Sequence, residues 1–253
     1  MKINYFGKTD QGLVRVCNED SLGLFPQLGL FVVADGMGGR PAGDVASRLV
    51  IEVLPLLIEQ RIPEPKSLKN SEIIQQIKGI LTDLSNRILH ESKNRTEFEG
   101  MGTTLVMALI TEQYRFIAHM GDSRAYLYRE QVLQQISNDH NLVRHLLLCG
   151  ELTQAEVNRH PGRNQLLQYI GMESEPNPTV ICIPRLADEY LLLCSDGLTN
   201  MLSHQTMTLL MKQSLPSVTV QLTADIIEHC TNNLICAANQ EGGEDNMTVV
   251  ITD

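Results

Sequence analysis

Three apolar, strand-like runs in this chain end on an aspartate at a turn: LFVVAD, closing at Asp35, RFIAHMGD, closing at Asp122, and YLLLCSD, closing at Asp196. A fourth aspartate, Asp245, stands just before the strand-like MTVVIT, and a fifth, Asp20, stands just before the apolar stretch Leu22–Phe25. Strands from distant parts of a chain meet in one sheet, so carboxylates at their ends converge on one rim. Such a cluster repels itself unless something positive neutralises it, and hard divalent cations with oxygen ligands do so. A single Asp-Gly or Asp-Asn pair is a plain turn former. Five acidic termini, with no Lys or Arg at the corresponding places, ask for more than turn chemistry. The pattern predicts a metal site assembled from the whole length of the chain.

The length, 253 residues, suits one large domain or two small ones and buries a sizeable core without staples. Hydrophobic residues make up 43% and charged residues 20%, ordinary values for a globular chain; with no Trp, the core rests on Leu, Ile, Val and Met. A net charge of −10 excludes a general nucleic-acid binder, which needs a basic footprint. The six cysteines form no C-x-x-C pair, and most lie in apolar surroundings, so they read as reduced thiols of a cytoplasmic protein rather than zinc ligands. The N-terminal segment has no signal-like apolar core, and no apolar run reaches the ~18 residues of a membrane span.

The first part reads as strands (3–7, 21–25 and 29–34), followed by a glycine-rich turn from Asp35 to Gly39. Helices follow over 43–59 and 71–92, the second with Ser71 as N-cap and Ile73, Ile77, Ile80, Leu81, Leu84 and Ile88 on one stripe. Short consecutive strands return at 103–110, 114–119, 125–128 and 131–136 and read as antiparallel. Short helical pieces occupy 141–169; then come strands at 180–184 and 190–194, helices at 204–213 and 218–239, and a last strand at 247–252. Blocks of strands alternating with helix pairs favour antiparallel sheets with helices outside, an α+β class, and a single domain over 1–253.

These motifs, in this order, resemble the metal-dependent protein phosphatases (PPM, type 2C serine/threonine phosphatases) in their compact bacterial form. The matching stretches are Arg15-Val16-Cys17-Asn18-Glu19-Asp20, VVADGMGGRPAGDVAS from Val32, MGTTL from Met101, GDSRAYL from Gly121, CSDGLT from Cys194 and GGEDNMTVV from Gly242. The resemblance implies a four-layer α/β/β/α sandwich, two antiparallel sheets flanked by helix pairs with a metal cleft at one end. It also implies hydrolysis of phosphoserine and phosphothreonine by a metal-activated water, without a phosphoenzyme. Two Mn²⁺ or Mg²⁺ ions would be bridged by Asp35, with the Gly36 carbonyl on one and Asp196 and Asp245 on the other. Glu19 and Asp20 would orient waters around them, and a third, weaker ion would take Asp122 with Asp196. Arg15 would clamp the substrate phosphate with its planar fork of donors.

One position departs from the family pattern. Many bacterial members carry a histidine after DGMGG, proposed to protonate the leaving group; here it is Arg40, which stays charged and donates no proton at neutral pH. Arg40 is then a substrate-binding cation, or the proton comes from elsewhere. The segment of about 144–165 matches the family's variable flap beside the cleft. Arg124, His119 and the methionines Met101, Met107 and Met120 read as structural. The expected partners are phosphorylated proteins, a serine/threonine kinase or its substrates, met by a monomer. The competing readings are a phosphatase-fold scaffold that lost its chemistry and a phosphatase dedicated to one regulatory partner.

Overall fold

The computed structural model describes residues 2–37, 42–157, 160–215 and 224–253. Two antiparallel sheets lie face to face. The first takes the order β1 (Tyr5–Asp10), β11 (Met247–Thr252), β10 (Tyr190–Cys194), β7 (Arg124–Arg129), β8 (Val132–Gln135). The second takes the order β2 (Asp20–Phe25), β3 (Leu30–Met37), β5 (Leu105–Ile110), β6 (Tyr114–Met120), β9 (Thr179–Pro184), with the short β4 (Gly102–Thr103) added beside β3. Helices α1 (Ala42–Arg61) and α2 (Asn70–Asn94) cover the second sheet; α6 (His204–Ser214) and α7 (Ala224–Gln240) cover the first.

Side-chain alternation along β3 makes the layers. Leu30, Val32 and Ala34 face α1 and α2, where they meet Val50, Leu54, Ile77 and Leu81. Their neighbours Phe31 and Val33 point the other way, into the space between the sheets, against Val106, Ile117, Leu191, Leu193 and Val250. On the other flank, Leu192, Val249 and Ile251 pack against Ile227, Leu234 and Ala238 of α7. The expected α/β/β/α sandwich is therefore present, with three apolar layers between four layers of structure. Met101, Met107 and Met120 are buried in the α1–α2 layer, as filler residues should be.

Several sequence expectations shift. The helix expected from Ser71 starts at Asn70, because the Glu72 carboxylate accepts from the Lys69 amide at 2.7 Å and closes the first turn from inside the helix. The stretch 103–110 divides into β4 and β5, separated at Thr104. Asp196 does not end in a bare turn: it is the first residue of α5 (Asp196–Met201), which follows N-cap Ser195. The segment 141–169 forms α3 (Leu142–Leu148), capped by Asn141, and the single turn α4 (Gln154–Val157). The start expected for the last helix, at Val218, lies outside the described residues.

Candidate metal centre

The five aspartates come together at one end of the sandwich, each placed by a different element. Asp20 opens β2 and stands directly across the ladder from Asp35 in β3. Asp35 is not a strand end: β3 runs on through Gly36 and Met37, which pair with Thr103 and Gly102. Asp122 follows β6 in the turn at Gly121, Asp196 begins α5, and Asp245 stands just before β11. The Asp35 and Asp196 carboxyls are close enough to shift each other's proton affinity. Like charges directly opposite on a ladder destabilise it, so this rim stores repulsion that the nearby Arg15 and Arg124 relieve only in part.

The proton affinities record that repulsion. Burial raises the Asp35 pKa well above the usual carboxylate range, with Asp20, Asp196 and Asp122 adding to it. Burial and the neighbouring Asp196 and Asp245 push Asp20 to about 7, against two hydrogen bonds that pull it down. Asp122 rises to about 7 through burial and the nearby Asp196 and Asp139, and Asp196 is raised by burial and Asp245. Asp35, Asp122 and Asp196 are only partly buried, so each keeps some contact with solvent.

Small polar groups aim these carboxylates. Ser195 Oγ and Thr248 Oγ1 both donate to Asp20 Oδ2 at 2.7 Å, and Ser195 Oγ accepts from the Thr248 amide at 2.9 Å. Asp20 Oδ1 is buried with no partner. The Asp35 backbone is held on both sides: its amide donates to Thr104 Oγ1 at 3.1 Å, and its carbonyl accepts from Thr104 N and Thr103 Oγ1. Thr104 Oγ1 in turn bonds Ser123 Oγ at 2.6 Å. Asn246 ties the rim together, accepting from Glu19 N and donating to the carbonyls of Gln11 and Cys17. Gly36 has to be glycine, since a Cβ there would lie 2.1 Å from the Gly43 carbonyl oxygen and 2.7 Å from that of Glu19. Ser195, Thr104, Ser123, Asn246 and Thr248 all stand in the same sequence motifs as the acids, and that shared position is the signal that could find these supports.

Arg15 lies at the rim, half-exposed, with Nη2 2.7 Å from Asp245 Oδ2. One of its five N–H donors is thus committed to Asp245, and burial is too slight to overcome the Asp245 contact that raises its pKa. Asp245 Oδ1 accepts from Asn246 N. Arg124 is structural, as expected: Nε and Nη2 grip the carboxylate of Asp139 at 2.7–3.0 Å. His119 is structural too, buried in β6 with Nε2 bonded to the Asn138 backbone and its pKa pushed down to about 3 by burial and then by His140. Arg40, with Gly38 and Gly39, lies outside the described residues.

The donor set fits hard divalent cations. It is all oxygen, it is like-charged, and it leaves an orphaned carboxylate oxygen at Asp20. Among the described residues no trio of His, Cys, Asp or Glu forms a ready-made cage. Paired carboxylates with a backbone carbonyl and room for water match ions that keep much of their hydration, as Mg²⁺ does. The sequence profile described as Protein phosphatase 2C matches residues 15–233. The chain belongs to that family. A Listeria monocytogenes relative, serine/threonine phosphatase stp, is 36% identical over 250 residues, 97% of this chain and 94% of its own. The crystal structure of the Mycobacterium tuberculosis serine/threonine phosphatase PstP/Ppp superposes with a TM-score of 0.84 at 32% identity, over 99% of this chain and 98% of that one. The catalytic domain of PstP in complex with two manganese ions superposes at 0.80, with 32% identity over 99% of this chain and 97% of that one. The protein phosphatase 2C fold thus accounts for both sheets and for the carboxylate end, and among the described residues no helix is long and apolar enough to cross a membrane.

Proposed function

We propose that this chain is a metal-dependent protein phosphatase hydrolysing phosphoserine and phosphothreonine, with 1–253 acting as one catalytic domain. The observation that carries it is the pairing of Asp20 with Asp35 and of Asp35 with Asp196 in a half-open cleft, with every affected carboxylate pushed toward its protonated form. Two Mn²⁺ or Mg²⁺ ions bound there would supply Lewis acidity and a water of lowered pKa. Asp35 and the Gly36 carbonyl would hold one ion; Asp35, Asp196 and Asp245 the other; Asp122 with Asp196 a third. Glu19 and Asp20 orient waters, Asp20 through the single oxygen that Ser195 and Thr248 leave unused.

Arg15 receives the phosphate with the donors that Asp245 does not occupy, and its half-exposed position leaves them open to solvent beside the rim. Arg40 is a second substrate-binding cation. The nucleophile is water rather than a side chain. Cys194, next to the site, has its thiol pushed up to about 12 by burial, and Ser195 is fully buried and spends its proton on Asp20. The intact carboxylate set weighs against a scaffold without chemistry. The substrates are proteins phosphorylated by a serine/threonine kinase, or the kinase itself, met in the cytoplasm by a monomer whose flap of about 144–165 borders the cleft. The test is turnover of p-nitrophenyl phosphate and of a phosphothreonine peptide in Mn²⁺, with and without chelator. Activity restored by Mn²⁺ and abolished by chelation is expected; undiminished turnover in excess chelator would overturn the reading.

A further inference from the structure

The loop that carries Arg15 also carries three large aliphatic side chains in water: Leu13 is 70% exposed, Val14 64% and Val16 82%. Scattered exposed aliphatics are ordinary, but three within four residues, around a proposed phosphate clamp, form a patch. The loop that presents them is fastened rather than slack. Asn246 Nδ2 holds the carbonyls of Gln11 and Cys17 at 2.9 Å each, the Leu13 amide donates to the Gly243 carbonyl at 2.7 Å, and Arg15 is tied to Asp245. Gly12, at φ +76°, is wedged where a Cβ would lie 2.4 Å from the Asp245 carbonyl oxygen. Four attachments thus hold an apolar ledge outward, although a slack loop could fold the same side chains away from water.

Leu13 also forms one wall of an open cleft of about 390 Å³, lined further by Lys8, Ile235, Cys236 and Asn239. That size lies within the ~300–1,000 Å³ range of ligand clefts. Leu13 and Arg15 are two residues apart, so their Cα atoms are within ~7 Å. The ledge and the cleft therefore lie within reach of the next few residues of a peptide whose phosphate meets Arg15. Acidic groups outnumber basic ones beside the ledge: Lys8 and Asp10 both line the cleft, and the exposed Glu241 and Glu244 bracket Gly243, on which Leu13 packs.

We infer that the ledge of Leu13, Val14 and Val16, with the adjoining cleft, is a docking surface for an aliphatic side chain of the substrate protein, placed two to four residues from the phosphorylated one. This rests on the phosphatase reading above and names the substrate class for the same site. The occupant is a segment of phosphoprotein because the ledge is continuous with the proposed phosphate clamp.

The test uses the whole chain in Mn²⁺ on phosphothreonine peptides in an alanine background, with Leu, Ser or Glu moved through the four positions on either side. A Leu at one or two positions is expected to raise kcat/KM ~5- to 20-fold over Ala, the effect of partly burying one aliphatic side chain, and Glu there to lower it. Leu13→Ser and Val16→Ser should each erase that preference, while turnover of p-nitrophenyl phosphate, too small to reach the ledge, stays unchanged. A peptide series with no positional preference, or a preference that survives both substitutions, would overturn the inference. So would sedimentation showing a dimer that Val16→Ser dissociates, which would assign the ledge to a second copy. Failure of wild-type protein on p-nitrophenyl phosphate would overturn the phosphatase reading itself, and the ledge with it.

Discussion

The two ends of the sandwich solve the problem of buried charge in opposite ways. At the start of β6 and just before β10, Arg115 and Glu189 are 0% and 2% exposed and meet at 2.6 Å. Arg129, at the end of β7, adds a second contact to Glu189, and beside them Arg185 meets Asp253. Burial lowers the Arg115 pKa, and Glu189 works against that loss. At the other end of the sandwich, roughly 20 Å along β6 at ~3.3 Å per residue, Asp122 after β6 and Asp196 after β10 press on each other and on Asp20 and Asp35 of β2 and β3. Two cations reach that rim and do not balance it: Arg124 is gripped by Asp139, outside the set, and Arg15 meets Asp245 alone. One end is charge-balanced by the chain; the other is completed only by something the chain does not encode. The first is architecture and the second is a binding site.

The largest expected effect falls at the unbalanced end. Asp35→Asn removes the carboxylate that faces both Asp20 and Asp196, and turnover should fall ~10³-fold or more, the loss of several kcal/mol of charge stabilisation. Thermal stability without metal should hold or rise, because one member of a repelling set is gone. A variant that keeps wild-type turnover would break the comparison. The matching change at the balanced end is Glu189→Ala, which strands a buried guanidinium and should cost ~3–5 kcal/mol of stability by denaturant titration. Activity per folded molecule should be unchanged. A neutral result would place that pair among the ornaments of the fold.

A smaller effect is expected for Arg15→Ala. Loss of a charge-assisted contact to phosphate, worth ~2–3 kcal/mol, lowers kcat/KM roughly 30- to 150-fold, with Lys recovering only part. Unchanged efficiency would remove Arg15 from the site. The last effect concerns pH. His119 is held neutral in the fold, with its pKa lowered to about 3, so the unfolded chain binds its proton first. That contribution to stability is present above the unfolded value of ~6.5 and is lost as pH falls toward 3. His119→Gln should therefore flatten the stability curve between about pH 6.5 and 4 relative to wild type. Parallel curves for the two proteins would contradict the burial of a neutral imidazole.

The ends of the strands were far more legible in the sequence than the ties between them. β11 begins and ends where MTVVIT does, because every residue in it is apolar or threonine and buried on both faces. The five aspartates announced the rim for the same reason: an acid after an apolar run has few places to go. The interior position of Asp35 was hidden, since Gly36 reads as a turn residue, whereas here it permits close approach to Gly43 and Glu19. The α5 helix was hidden behind the same Asp-Gly signal at Asp196. Ser195 and Thr248 could be found only once β10 and β11 were paired, because their shared grip on Asp20 spans more than half the chain.

Direct counting of bound metal decides the central claim. Mn²⁺ binding to the whole chain, followed by calorimetry and by electron paramagnetic resonance, should give two tightly bound ions per molecule, and Asp35→Asn should lose both while Glu189→Ala, measured under folding conditions, keeps them. Wild-type protein that binds no Mn²⁺ or Mg²⁺, or an Asp35→Asn variant with undiminished stoichiometry, would contradict the account of the aspartate rim as a metal centre.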